Sequence, residues 1–384
     1  MALKDDFGPP WRVPLLLLAF ISLFLGIDAG LARLGWASPG AALATVHGPL
    51  MASGFFGTVI SLERAVALGR RWAYAAPLAA ALSALAAMLT APSAASPALA
   101  LLLPPALAPL LSAAGSLVML AASLLMLRRQ RELFILTMAL GAACWCVASF
   151  LWLAGRPVHA LVPWWIAFLV LTIAGERLEL SRLLPPSPVA KRIFALLLAA
   201  LLGGVTLSLA DAAAGTQLLG FALAGLALWL MRQDVARRTI KTQGLTRFIA
   251  ACLLSGYVWL AVGGVSMLVP GGLGSGGAAY DAALHALLLG FVFSMVFGHA
   301  PIIFPAVLRV AVPYHPYFYA PLALLHASLA IRVAGDWLLW PGWRAWGGML
   351  NGIALVAFVA GTIAAVIGGR LAAARQSGSP RGLR

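Results

Sequence analysis

Apolar runs of about twenty residues, most bounded by arginine or proline, follow one another along almost the whole chain. Each is long enough to cross the hydrocarbon of a bilayer, which takes roughly 18 or more apolar residues in a helix. Only a helix or a closed barrel satisfies its own backbone polar groups in lipid, so runs of this kind leave one fold class open. Twelve spans are predicted, over 12–34, 41–63, 72–91, 104–127, 132–154, 158–178, 190–209, 212–232, 245–268, 279–308, 317–337 and 345–369. The breaks fall at Ser38-Pro39-Gly40, Arg70-Arg71, near Pro92, Arg128 to Arg131, Arg156-Pro157, Pro185 to Pro188, and the basic run Arg232 to Lys241. Only 10% of residues are charged and 62% are hydrophobic, against about 25% charged in a soluble domain. The expectation is an all-α, polytopic membrane protein, one integral membrane domain over 1–384.

The formal charge of +15 is explained by topology. Of the 26 Lys and Arg, 22 fall at the termini and in the loops after even-numbered spans; Arg33, Arg156, Arg332 and Arg344 lie on the other side. Positive loops stay inside, so both termini are expected to be cytoplasmic and nucleic acid is not a partner. Trp36, Trp152, Trp337, Trp340, Trp343 and Trp346 gather at the outer span ends, as an interfacial belt does. The first span follows Lys4 and Arg12 but has no small-residue cleavage site, so it reads as a span and not a signal peptide. Cys144, Cys146 and Cys252 sit inside apolar runs and form no disulfide framework; Cys144 and Cys146, two apart on a helix, read as packing. Gly271 to Gly277 lacks any nucleotide-binding pattern and reads as a loop.

Ionisable or metal-ligating groups in hydrocarbon are costly and mark function by default. Span 10 carries two histidines, His285 and His299, fourteen residues apart. Helical spacing puts them near one face, about 21 Å apart along the axis. Pro301 and Pro305 are expected to loosen the end of that helix. Even-numbered spans all run the same way, so depths compare directly. His47 lies about six residues into span 2 and His285 about six into span 10. Two neutral imidazoles at one depth suit the axial positions of a b-type haem, which needs no covalent attachment motif. Gly54 and Gly290 offer room for a porphyrin edge. His299 and His326, each about nine residues from the inner end of its span, match in depth as well. They suggest a second haem or a copper ion; Met295, one turn before His299, reads as packing, with soft ligation of copper as the alternative. His159 and His315 lie at the span ends.

Arg332 and Asp336 are four apart and read either as an exposed pair or, for Arg332, as the holder of haem propionates; Arg33, Arg156 and Arg344 are rivals for that role. Asp28 is read as interfacial. Glu63-Arg64 and Glu176-Arg177 close spans 2 and 6 on the inner side, a weak internal repeat. They read as helix-end ion pairs, with proton uptake as the functional alternative.

Twelve spans, a histidine-bearing second span with a following Gly-Phe (His47…Gly54-Phe55), and Ala-Leu-His-Ala-Leu-x-x-Gly (Ala283 to Gly290) in span 10 together resemble the NnrS family. The resemblance implies a bacterial inner-membrane protein carrying haem and copper and linked to nitric oxide stress. The pattern is more distantly similar to the catalytic subunits of haem–copper oxidases and nitric oxide reductases. There, too, histidines of spans 2 and 10 hold a low-spin haem in the outer half. The departures are specific. The family's His-x-His-Glu-Met appears only as His47-Gly48-Pro49-Leu50-Met51, and its polar segment after span 10 as Gly298-His299-Ala300-Pro301. Span 10 has no His-x-His and span 7 no His-His pair, so an oxygen-reducing binuclear centre is not expected.

The sequence thus leads to a membrane-embedded protein with a b-type haem and a second site for haem or copper, surrounded by lipid and served by a quinol or other redox partner. Two other classes compete. One is a proton-coupled secondary transporter using the same histidines as relays; the other is a metal-independent assembly protein.

Overall fold

The computed structural model describes residues 6–91, 103–181, 187–269, 273 and 276–377. The breaks expected near Pro92 and Pro185, and most of the glycine-rich stretch 271–277, lie outside the described residues. The chain is 86% helical, with no strand among the described residues. Among the described residues twelve helices are long and apolar enough to cross a membrane: α1 (Pro9–Arg33), α2 (Pro39–Leu68), α3 (Arg71–Thr90), α4 (Leu107–Arg129), α5 (Leu133–Leu153), α6 (Val158–Leu180), α7 (Pro188–Leu207), α8 (Ala212–Gln233), α9 (Gly244–Ser266), α10 (Ala278–Leu308), α11 (Pro316–Trp337) and α12 (Pro341–Leu371). The chain is a multi-pass membrane protein. Twelve such helices put the start of α1 and the end of α12 on one face, called here the terminal face.

Local chemistry places the ends. Proline opens α1, α2, α7, α11 and α12, where its fixed φ suits the first turn and its missing N–H costs nothing. The Asp211 carboxylate accepts from the Ala213 and Ala214 backbone N–H groups at the start of α8, both at 3.0 Å. Gly69, at φ 62°, closes α2 in the left-handed conformation. Pro301 and Pro305 do not end α10, which stays helical to Leu308. In a bundle the backbone groups freed by proline find other partners. The end of α10 is held from outside: Arg12, itself paired with Asp6 at 2.5 Å, donates at 2.7 Å to the Val307 carbonyl, which the end of the helix leaves without an intrahelical partner.

Helices α2, α6 and α10 touch one another at the centre of the bundle, and α6 is the most deeply buried of the twelve. The remaining helices surround these three, packing largely on their neighbours in sequence, and α12 returns to α1. Lipid tails are as apolar as leucine, so the helices are held by close fit and polar contacts. A side chain on Gly220 of α8 would stand 2.6 Å from the Gly264 carbonyl of α9, and only glycine permits that approach. Outward faces keep Leu117, Leu196, Phe221 and Leu228 exposed, where lipid covers them. The belt of tryptophans is present on the face away from the termini: Trp337, Trp340, Trp343 and Trp346 are exposed there.

Candidate haem-binding cavity

Two central helices share an irregularity. The α-helical pattern widens to π geometry over Leu50–Gly57 in α2 and Ala286–Phe293 in α10. One stretch begins three residues after His47 and the other immediately after His285. Such segments are rare and recur at functional sites. At their inner ends the two helices converge, with Phe293 stacked on Phe55 and tilted against Phe56 at ring distances of 5.8 and 5.1 Å. On the other side of this aromatic floor the helices part around a cavity of about 260 Å³ lined by His47 and His285. Both sequence-predicted haem histidines therefore face one space, with Trp165 of α6 beside them.

Each imidazole is oriented by a backbone carbonyl. His47 Nδ1 lies 2.6 Å from the Gly26 carbonyl of α1, and His285 Nδ1 lies 2.9 Å from the Asp281 carbonyl. A carbonyl only accepts, so Nδ1 carries the proton in both rings. Nε2 keeps its lone pair, the arrangement that fixes the tautomer of a metal-ligating histidine. The Asp281 carboxylate stands 3.2 Å from His285 Nδ1 and reinforces the same orientation.

The mouth of the cavity is basic. Arg33, Arg332 and Arg344 line it with Asp281 as the one carboxylate among the lining residues. Arg332 donates to both Asp281 oxygens, at 2.8 and 2.9 Å. Arg344 Nε lies 3.6 Å from Asp281 and 3.3 Å from Asp336. The expected exposed Arg332–Asp336 pair is therefore not found. Both residues are buried, Arg332 is held by Asp281, and Asp336 faces Arg344. A guanidinium on the enclosed face of α11 needs a partner aligned with its fork, and Asp281 supplies it.

Gly54 and Gly290 do not line this cavity. The open side of Gly54 meets Ser22 and Ala84, and that of Gly290 meets Trp259 and Leu329. Both lie within the π segments, whose wider turn departs from the 100° per residue of an α-helix and so changes which way each glycine faces. The room beside His47 comes from Gly30, where a Cβ would stand 2.9 Å from the His47 Cε1 atom.

His299 and His326 take separate partners. His299 Nδ1 lies 2.9 Å from the Met295 carbonyl, and its Nε2 is 3.9 Å from Glu176. His326 Nδ1 accepts from the Trp259 indole at 2.9 Å. The Met295 methyl group packs over Gly256 of α9. Among the described residues no three His, Cys, Asp or Glu side chains converge to hold a metal ion. His315 acts locally, its Nδ1 accepting from the Tyr317 backbone N–H to cap the turn that opens α11. His159 is exposed at the start of α6.

The Glu-Arg pairs work across helices and not as helix-end pairs. Arg64 of α2 lies 3.8 Å from Glu176 of α6, while Arg177 forms two buried bonds to Asp234, at 2.7 and 3.0 Å. Tyr257 adds a 2.6 Å hydrogen bond to Asp234. Sequence reasoning passes over two residues of weight at the cavity. Asp281 is legible as a carboxylate one helical turn before His285, whereas nothing local marks Gly30.

No curated protein and no solved structure matches the chain. A family model described as a domain of unknown function (DUF8744) matches residues 12–367. The chain belongs to that family.

Proposed function

We propose that this chain is a membrane-embedded b-type haem protein with His47 and His285 as the axial ligands. The observation that carries the reading is the pairing of two imidazoles on one cavity, each with Nδ1 tied to a backbone carbonyl and Nε2 left free. The donor set fits the group: two neutral nitrogens for the iron, an aromatic floor, and arginines at the mouth for the propionates. At about 260 Å³ the space is a little under the ~300–1,000 Å³ of typical ligand cavities, so side chains of the lining would have to move to hold a porphyrin. A bound haem supplies one-electron chemistry. The chain's own part is to fix both rings, exclude water from the apolar sides and compensate the propionate charge.

The test is the visible spectrum of protein purified from haem-replete cells. A Soret band with sharp reduced α-peaks is expected, and His47→Ala or His285→Ala abolishes it while the protein stays monodisperse. A colourless wild type, or colour unaffected by either substitution, overturns the assignment. The nitric oxide link rests on the NnrS-like patches alone. Its test is whether nitric oxide added to the reduced protein displaces an axial imidazole and shifts the Soret band.

A further inference from the structure

Toward the terminal face the three central helices bring together Glu63 of α2, Glu176 of α6 and His299 of α10. The Glu63 carboxylate interacts electrostatically with Glu176, Arg64 and His299. We infer that Glu63, Glu176 and His299 form a proton-exchange site that shares one proton with water at the terminal face.

Charge counting comes first. Two arginines follow the two glutamates, but Arg177 is turned aside into its two bonds with Asp234, and Tyr257 completes that group. Arg64 is left as the cation acting on Glu63 and Glu176: it follows Glu63 in the chain, lies 3.8 Å from Glu176 and also donates to the Met138 sulfur of α5. The further charges acting on the group are Glu179, one turn along α6, and the Arg177–Asp234 pair. Two carboxylates with one guanidinium reach neutrality on binding one proton, and in a low dielectric such groups titrate as a unit.

Geometry gives the proton a path. His299 Nδ1 is committed to the Met295 carbonyl, so Nε2, with its lone pair, is the nitrogen 3.9 Å from Glu176 Oε2. That separation is just beyond a direct hydrogen bond, as is the 3.8 Å to Arg64. A small rotation of Glu176, or a water between the two, lets the proton pass from carboxylic acid to imidazole, leaving carboxylate and imidazolium. The group is also less tightly enclosed than its neighbour: the side chains of Glu176 and His299 keep 21% and 17% of their surface accessible, whereas Asp234 keeps 1%. A loosely spaced cluster with accessible surface differs physically from the sealed Arg177–Asp234 pair beside it.

The test uses the full-length protein in detergent and needs no haem. Infrared spectra across a pH series are expected to show a protonated-carboxyl band near neutrality that fades as pH rises. Glu63→Gln or Glu176→Gln, each nearly isosteric, removes it. A carbodiimide specific for protonated carboxyl groups, followed by peptide mass spectrometry, is expected to label Glu63 or Glu176 of the wild type at neutral pH, several-fold less in alkali. That labelling decides the matter where a variant fails to fold. Absence of both signals, or a band that survives in both Gln variants, overturns the site and leaves an ordinary ion-pair cluster. Because neither readout involves iron, failure here leaves the haem reading untouched, and the reverse.

Discussion

Phe55 and Phe293 stack 5.8 Å apart and only 5° from parallel, and each lies eight residues after a histidine of the same cavity. Helices α2 and α10 are thus matched in register: imidazoles above, phenyl rings below, and a π segment ending at or just beyond each ring. The stack closes the cavity floor and sets how far apart His47 and His285 stand.

Phe293→Ala removes the ring that touches both Phe55 and Phe56. Deleting a buried phenyl ring costs about 3 kcal/mol or more. Thermal unfolding in detergent should report that loss, together with weaker retention of haem during dialysis.

Gly30→Ala places a methyl group against the His47 ring, 2.9 Å from Cε1. Overpacking of this kind typically costs about 1–3 kcal/mol. The ring must turn, breaking its bond to the Gly26 carbonyl. Haem content per polypeptide should fall sharply, while Gly54→Ala, whose methyl group meets Ser22 and Ala84, should affect stability and leave the ligand spectrum in place.

Asp281→Leu strands Arg332 at the mouth of the cavity and leaves Arg344 with Asp336 alone. Breaking one side of a buried ion pair costs about 3–5 kcal/mol. Replacing both partners, Asp281→Leu with Arg332→Leu, should recover part of that loss in a melting curve, because no charge is left buried without its partner. A double variant as unstable as the sum of the singles would mean that Asp281 and Arg332 do not act as a pair.

At the Arg177–Asp234–Tyr257 group the costs should rank by charge. Tyr257→Phe removes one hydrogen bond to a carboxylate, a loss of about 1.5–3 kcal/mol. Arg177→Met leaves Asp234 buried with neither of its two guanidinium bonds, a loss of about 3–5 kcal/mol. Equilibrium unfolding of the two variants in the same detergent checks the order.

Much was determined by the sequence alone. The twelve spans follow from run length and from proline at helix starts, because lipid offers the backbone no alternative to helix. The common depth of His47 and His285 follows too, since span direction and residue count fix height along a helix axis. Rotation about that axis is another matter. The π segments in α2 and α10 shift every later residue around the helix, so Gly54 and Gly290 turn to neighbouring helices and Gly30 takes the place beside His47. Equal depth likewise did not bring His299 to His326: the first faces Glu176 on the central helix α6, the second Trp259 on α9. Height is a property of one helix, which its own sequence fixes. Which side chains meet at that height depends on the rotation and neighbours of several helices, which packing alone decides.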